Sequence, residues 1–360
     1  MAAAGIPASA PDGLRLTPID RIPGLRALAW QNRTLYASRG YTLQSAEMGI
    51  ATLQWQKVAS FRVPLRRSVS SVFPLTRRLF RDGLHALAVL PSGHMVAAVP
   101  GAIVTRVTGE DEFRISHRVT RGTRPLHFAP LPGGEIYWGE YFDNRQRDEV
   151  HIYGSADHGE TWHVAYTFAK GAIRHVHNIV VDPWGDCLWI LTGDEGQECR
   201  IMRASLDLRT IDTIFCGNQQ ARAVAFIPTA EAIYFSSDTP SEANHIFRLD
   251  RSGKISTLAS INSSSICGCR VGNSVFFSTM VEPSAVNRDR TVRVYGSPDG
   301  IQWEEMLNWK KDGWPSGLFQ YGNAFFPDGR NATNVLAIST VAVVNGDLVT
   351  RLYQVEGPVL

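Results

Sequence analysis

One turn is written twice in this 360-residue chain, and it constrains the fold more than any other feature. Ser155-Ala-Asp157-His-Gly159-Glu-Thr161-Trp162 follows the β-like run Val150-His-Ile-Tyr-Gly154. Far downstream, Ser297-Pro-Asp299-Gly300-Ile-Gln-Trp303 follows Val292-Arg-Val-Tyr-Gly296. Ser and Asp side chains hydrogen-bond the backbone within tight turns. Glycine takes the positive φ that such turns require, and Trp offers the returning strand a large apolar plate. A turn that recurs with its strand marks a repeated supersecondary unit.

Sustained helical periodicity is almost absent. Short β-like runs separated by Gly, Pro, Asn and Asp recur at roughly the 40–50-residue period of propeller blades. The expected fold is all-β: a seven-bladed β-propeller of four-stranded antiparallel blades. The expected blades are 25–63, 84–119, 124–168, 175–216, 222–260, 264–310 and 319–356. The seventh supplies only three strands before the chain ends, and an open blade would leave an exposed edge. The run 14–22 has no partner in the first unit, so it is expected to close the ring as the outer strand of the last blade. Residues 66–82, with Arg66, Arg67, Arg77, Arg78 and Arg81, interrupt the pattern. They are read as an inserted segment with a solvated basic face, in which Leu75, Leu79 and Phe80 form the apolar side of a short helix.

The repeated turn resembles the Asp-box of BNR-repeat proteins, whose consensus is Ser-x-Asp-x-Gly-x-Thr-Trp. The first copy matches throughout; the second is one residue shorter and lacks the Thr. The stretch from Arg121 to Asp207 resembles bacterial BNR-repeat proteins at Gly139-Glu140-Tyr141, Asn144, Arg174-His175-Val-His177, Asp182-Pro183 and Thr192-Gly193-Asp194. The resemblance implies a sialidase-like propeller, an architecture that hosts hydrolases, lyases and pure binders. Sialidase activity is not expected, because the order of the arginines and Tyr141 does not match that family.

Composition excludes several alternatives. A formal net charge of +2 leaves no electrostatic footprint for nucleic acid, and no apolar run is long enough for a membrane span. The N-terminus has neither the basic nor the continuous apolar region of a secretory signal. Five cysteines, an odd number, do not make a disulfide framework and read as reduced thiols of a cytoplasmic protein.

Strand parity then locates the chemistry. In a four-stranded antiparallel blade, the turns between strands one and two and between three and four share one end. The loops entering strand one and leaving strand two share the other. The Asp-box turns therefore lie opposite the mouth, and Asp157 and Asp299 read as structural. The mouth of units three to five collects Glu140, Tyr141, His175, His177 and Asp194 as candidate catalytic groups. Arg124, Arg174, Arg222, Asn144, Glu195 and Asp238 are the candidate substrate-binding groups.

His175 and His177 are two apart and share a face of a strand, as an acid–base pair requires. With Asp194 or Glu195 they could instead bind a divalent metal, but two histidines without a settled third ligand are a weak metal signal, so no cofactor is expected. Glu140 and Asp194 fit paired-carboxylate hydrolysis. Tyr141 or a histidine fits β-elimination from a uronate, with arginines neutralising the carboxylate. The expected function is action on an anionic or complex glycan, by hydrolysis or elimination. The alternative is a non-catalytic glycan-binding or scaffold propeller, such as a partner in polysaccharide assembly. The expected partner is a glycan or oligosaccharide.

Overall fold

The computed structural model describes residues 13–49 and 53–357. Its strands form five four-stranded antiparallel sheets and one nine-stranded sheet. The nine-stranded sheet contains two further four-stranded units, bridged by a two-residue parallel contact between Gln56–Phe61 and Glu112–Arg118. The described residues thus hold seven four-stranded units. Their first strands touch in ring order, Arg26–Asn32 against Leu87–Val89, then Ala129–Pro130, His175–Asp182, Ala223–Pro228 and Cys267–Val271, and so back through the seventh unit. The chain is a β-propeller.

Burial grades outward from the axis. The second strands Met95–Val99, Cys187–Gly193 and Val335–Val341 are buried at every position. Sandwiched between neighbouring blades, they carry apolar residues at successive positions rather than alternating ones. Outer strands such as His163–Phe168 are half exposed. Every outer pair carries a β-bulge, which adds the local twist a blade needs.

The ring closes as the orphan N-terminal run requires. Arg15–Pro23 pairs antiparallel with Val349–Glu356, making the fourth strand of the blade built from Asn323–Phe325, Val335–Val341 and Val349–Glu356. Leu14 and Leu16 enter the same core as Tyr353, Val355 and Phe276.

Both Asp-box turns join third and fourth strands. Ser155 Oγ donates to Asp157 Oδ1 at 2.7 Å, and that oxygen accepts the Thr161 amide at 2.9 Å. Asp299 Oδ1 accepts the amides of Ile301 and Gln302. A third, degenerate copy escapes the motif. Ser205 Oγ donates to Asp207 Oδ1 at 2.7 Å in the matching turn of the fourth blade. There Leu208 takes, at φ 60°, the left-handed position that Gly300 holds at φ 72°.

Two features differ from expectation. The insert folds into two helices, Leu65–Val72 and Pro74–Phe80, but with inverted polarity. Arg77 and Arg78 are buried, while Leu75, Leu79 and Phe80 face solvent. The cause is long-range. Arg77 Nη1 donates to Gly24 O at 2.9 Å, and Arg78 is held by Asp312, Asp347 and Phe319 O. The second difference is a short strand, Asp328–Asn331, between the inner strands of the last blade. It pairs parallel with Arg26–Asn32 and touches the inner strands of blades one, two and six. Asp328 Oδ2 lies 3.0 Å from His127 Nδ1 of blade three. This segment lies among the first strands, beside the end of Arg26–Asn32 away from the mouth, and the mouth forms a cup above it.

Candidate functional site

The cup has two halves of different character. On the side of blades four and five, His175 and His177 stand at the start of His175–Asp182, where pairing with Cys187–Gly193 skips from Val176 to Asn178. His177 is the bulged residue. Bulges re-aim a side chain next to a site, and here the two rings converge. His175 Nε2 and His177 Nε2 are 3.0 Å apart, and they lie 3.6 and 3.3 Å from Asp194 Oδ1. Asp194 follows the second strand of the same blade. Arg174 Nη1 reaches its Oδ2 at 3.1 Å and Arg222 Nη2 its Oδ1 at 3.2 Å. Arg222 also lies 3.6 Å from Asp238. Tyr141 stacks obliquely on His175, with ring centroids 4.3 Å apart.

The electrostatics follow from this packing. Desolvation would raise Asp194, but His175, His177 and Arg222 hold it well below the usual carboxylate range. Burial lowers His177, and the charges of His175 and Arg222 act in the same direction. Asp238 goes the other way. Burial pushes it up to about 7, Arg222 opposes the rise, and Glu282 and Asp194 add to it. Tyr141 is pushed up to about 12 by desolvation and by the carboxylates Asp238 and Asp194. A phenol shifted in that direction is a poor base at neutral pH.

Asp238 makes stability depend on pH. Its folded pKa is raised, so between about pH 4 and 7 the folded chain binds more protons than the unfolded one, and stability falls as pH rises through that window. Asp238→Asn is expected to remove this loss, which is of the order of a few kcal/mol. Denaturant unfolding at pH 5 and pH 8 checks it. Equal pH slopes for wild type and variant would refute the assignment.

Several candidate groups are placed elsewhere. Glu140 does not meet the histidines. Arg121 Nε donates to its Oε1 at 2.9 Å, Arg121 Nη2 bonds its Oε2, and the His151 amide donates to Oε2 at 2.8 Å. Its carboxylate is consumed in joining the entry of blade three to the third strand. Asn144 closes its own loop, accepting the Asp148 amide and donating to Asp148 O. Glu195 points outward and pairs with Arg147 at 3.3 Å. Arg124 faces the other half of the cup.

That other half was not expected. Arg26 enters blade one, His85 enters blade two and Arg124 enters blade three, with Arg77 and Arg81 contributed by the helical insert. Arg26 Nη1 lies 3.2 Å from His85 Nδ1, and the Arg26 guanidinium sits 4.4 Å over the Phe325 ring. Among the described residues none of these four arginines forms an ion pair with a carboxylate. The carboxylate facing Arg26 is Asp328, which His127 shares. Arg124 is lowered to about 9 by burial and by the neighbouring charges of Arg26 and Arg81. Arg77 falls to about 10 by burial and by Arg26 and Arg39. Strand parity, applied to blades one and two as well as three to five, places Arg26 and His85 at the same mouth. The insert's contribution has no local signal.

No family model matches the chain, and no curated protein matches it. Solved structures do. A WD40 β-propeller domain of Doa1 is 10% identical with a TM-score of 0.55, covering 95% of this chain and 97% of that one. A chain of the mitotic checkpoint complex is 9% identical with a TM-score of 0.57, covering 98% and 99%. These likenesses establish the propeller fold and nothing finer; the Asp-box resemblance finds no family-level match.

Proposed function

We propose that the protein is a recognition propeller whose cup binds an anionic group, such as the carboxylate of an acidic sugar. The observation that carries this is the convergence of Arg26, Arg77, Arg81 and Arg124 without ion-paired carboxylates. Clustered like charges raise one another's energy, and an anion relieves that cost through charge-assisted hydrogen bonds. A narrow cavity between the insert and the blades has Arg26, Arg77, His85, Gln320 and Phe325 in its lining. Asp82 and Arg78 line it too, but Asp82 is held by Arg67, Tyr41 and Ser70, and Arg78 by Asp312 and Asp347. The chemistry suits one anionic group against an aromatic face.

Binding is preferred to hydrolysis because Glu140, one of the two expected carboxylates, is committed to Arg121 and the His151 amide.

Thermal unfolding with uronate oligosaccharides, their neutral counterparts and inorganic phosphate tests the proposal. A ligand at 100 times its Kd adds about 2.7 kcal/mol to stability, so acidic ligands are expected to raise Tm and neutral ones not. Arg26→Gln and Arg124→Gln are each expected to weaken binding about tenfold or more, the worth of a charge-assisted bond. No Tm response to any anion would overturn the reading. New reducing ends, or an ultraviolet-absorbing unsaturated product, would replace it with hydrolysis or elimination.

A further inference from the structure

We infer that His175, His177 and Asp194 form a binding site for one divalent transition-metal ion, separate from the cationic half of the cup. His175 Nδ1 lies 2.9 Å from Phe142 O, and His177 Nδ1 lies 3.1 Å from Ala223 O. A carbonyl oxygen only accepts, so each Nδ1 carries a hydrogen. In the neutral rings both Nε2 atoms are then bare lone pairs. Those lone pairs face each other at 3.0 Å, and both face a carboxylate oxygen. Three acceptors converge, only Asp194 Oδ1 has a donor, Arg222, and neither ring nitrogen has one from the other, a conflict that a cation resolves.

The spacing fits. Ligands about 2.0–2.1 Å from a tetrahedral ion are roughly 3.3 Å from one another. The three edges here are 3.0, 3.3 and 3.6 Å. The surroundings fit as well. Metal-bound histidines donate their other ring N–H to a carbonyl or carboxylate, which fixes the tautomer, and both rings do so. Arg174 holds the second oxygen of Asp194. The bulge at His177 is what brings the second ring to the site. Three protein ligands leave a fourth position for another ligand, the pattern of a site that takes an exchangeable one. Two imidazoles and one carboxylate suit zinc, cobalt, iron or manganese better than magnesium or calcium. Arg222, 3.2 Å from the same Asp194 oxygen, opposes the ion. The ion is therefore expected to be removable by chelators.

The test uses the full chain after chelation, titrated with Co²⁺ and then Zn²⁺. One equivalent of Co²⁺ with the intense visible absorption of a four-coordinate site, displaced by Zn²⁺ and accompanied by a rise in Tm, is the expected result. His177→Ala and Asp194→Asn are expected to weaken binding by more than the roughly 10–100-fold that loss of an outer-shell partner costs. Circular dichroism checks that these variants fold. Cys199→Ser, which removes the thiol packed beside Gly193, is expected to bind as wild type. Wild-type protein that takes up no stoichiometric metal would overturn the proposal and leave a proton shared between the rings. Binding that survives His177→Ala, or is lost in Cys199→Ser, would overturn it too.

Discussion

Deleting residues 1–23 is expected to abolish cooperative folding. The strand Arg15–Pro23 pairs at eight positions with Val349–Glu356 and places Leu14 and Leu16 in the core. Truncating one buried Leu to Ala costs about 2–5 kcal/mol, and the deletion removes two of them together with the ladder. A typical domain is stable by only about 5–15 kcal/mol. The loss also opens Val349–Glu356 as an edge, which invites pairing between molecules. Size-exclusion chromatography and urea unfolding check the outcome: aggregation, or a broad transition at low urea. A synthetic peptide of residues 13–23 is expected to restore a sharp transition by adding the missing strand. A truncated chain with the wild-type urea midpoint would show that the ring does not depend on this closure.

That closure was legible because it follows from an accounting of strands, and the repeated turn identifies which strand is which. Asp157 and Asp299 bond their own turns, so short-range spacing predicts them well. The histidine–Asp194 cluster was legible for a similar reason: parity brings the entry and exit loops of one blade to one place. What escaped were choices among distant partners. Glu140 and Asp194 occupy equivalent positions after second strands, yet Arg121 claims the first, while Arg174, Arg222 and two histidines surround the second. Nothing local separates those outcomes. The segment Asp328–Asn331 escaped because its parallel partner, Arg26–Asn32, lies at the far end of the chain. The insert's polarity was inverted for the same reason. An arginine reads as solvent-facing until carbonyls and carboxylates more than two hundred residues away are placed beside it.

Arg78→Ala is expected to cost about 3–5 kcal/mol, the cost of breaking one side of a buried ion pair. Arg78 is 1% exposed. Its Nη1 serves Asp312 at 2.5 Å and Asp347 at 3.1 Å, and its Nε donates to Phe319 O at 3.0 Å. Removing it leaves two carboxylates and a carbonyl facing an empty volume. Lys311 also bonds Asp312, which softens the loss at that carboxylate but does nothing for Asp347. Lysine in place of Arg78 presents a point charge rather than a planar fork, so Arg78→Lys is expected to recover only part of the stability. The consequence reaches the cup, because the helix that holds Arg78 also holds Arg77, whose Nη1 sits on Gly24 O beside Arg26. Released from its anchor, that helix no longer fixes the cationic half, so anion binding is expected to fall together with stability. Guanidinium unfolding of Arg78→Ala, Asp312→Ala and the double variant separates the pair from the packing: coupling of about 0.5–3 kcal/mol is expected for partners in one network. A single variant within 0.5 kcal/mol of wild type, with full anion binding, would show that the insert is held by its other contacts and that the cup does not depend on it.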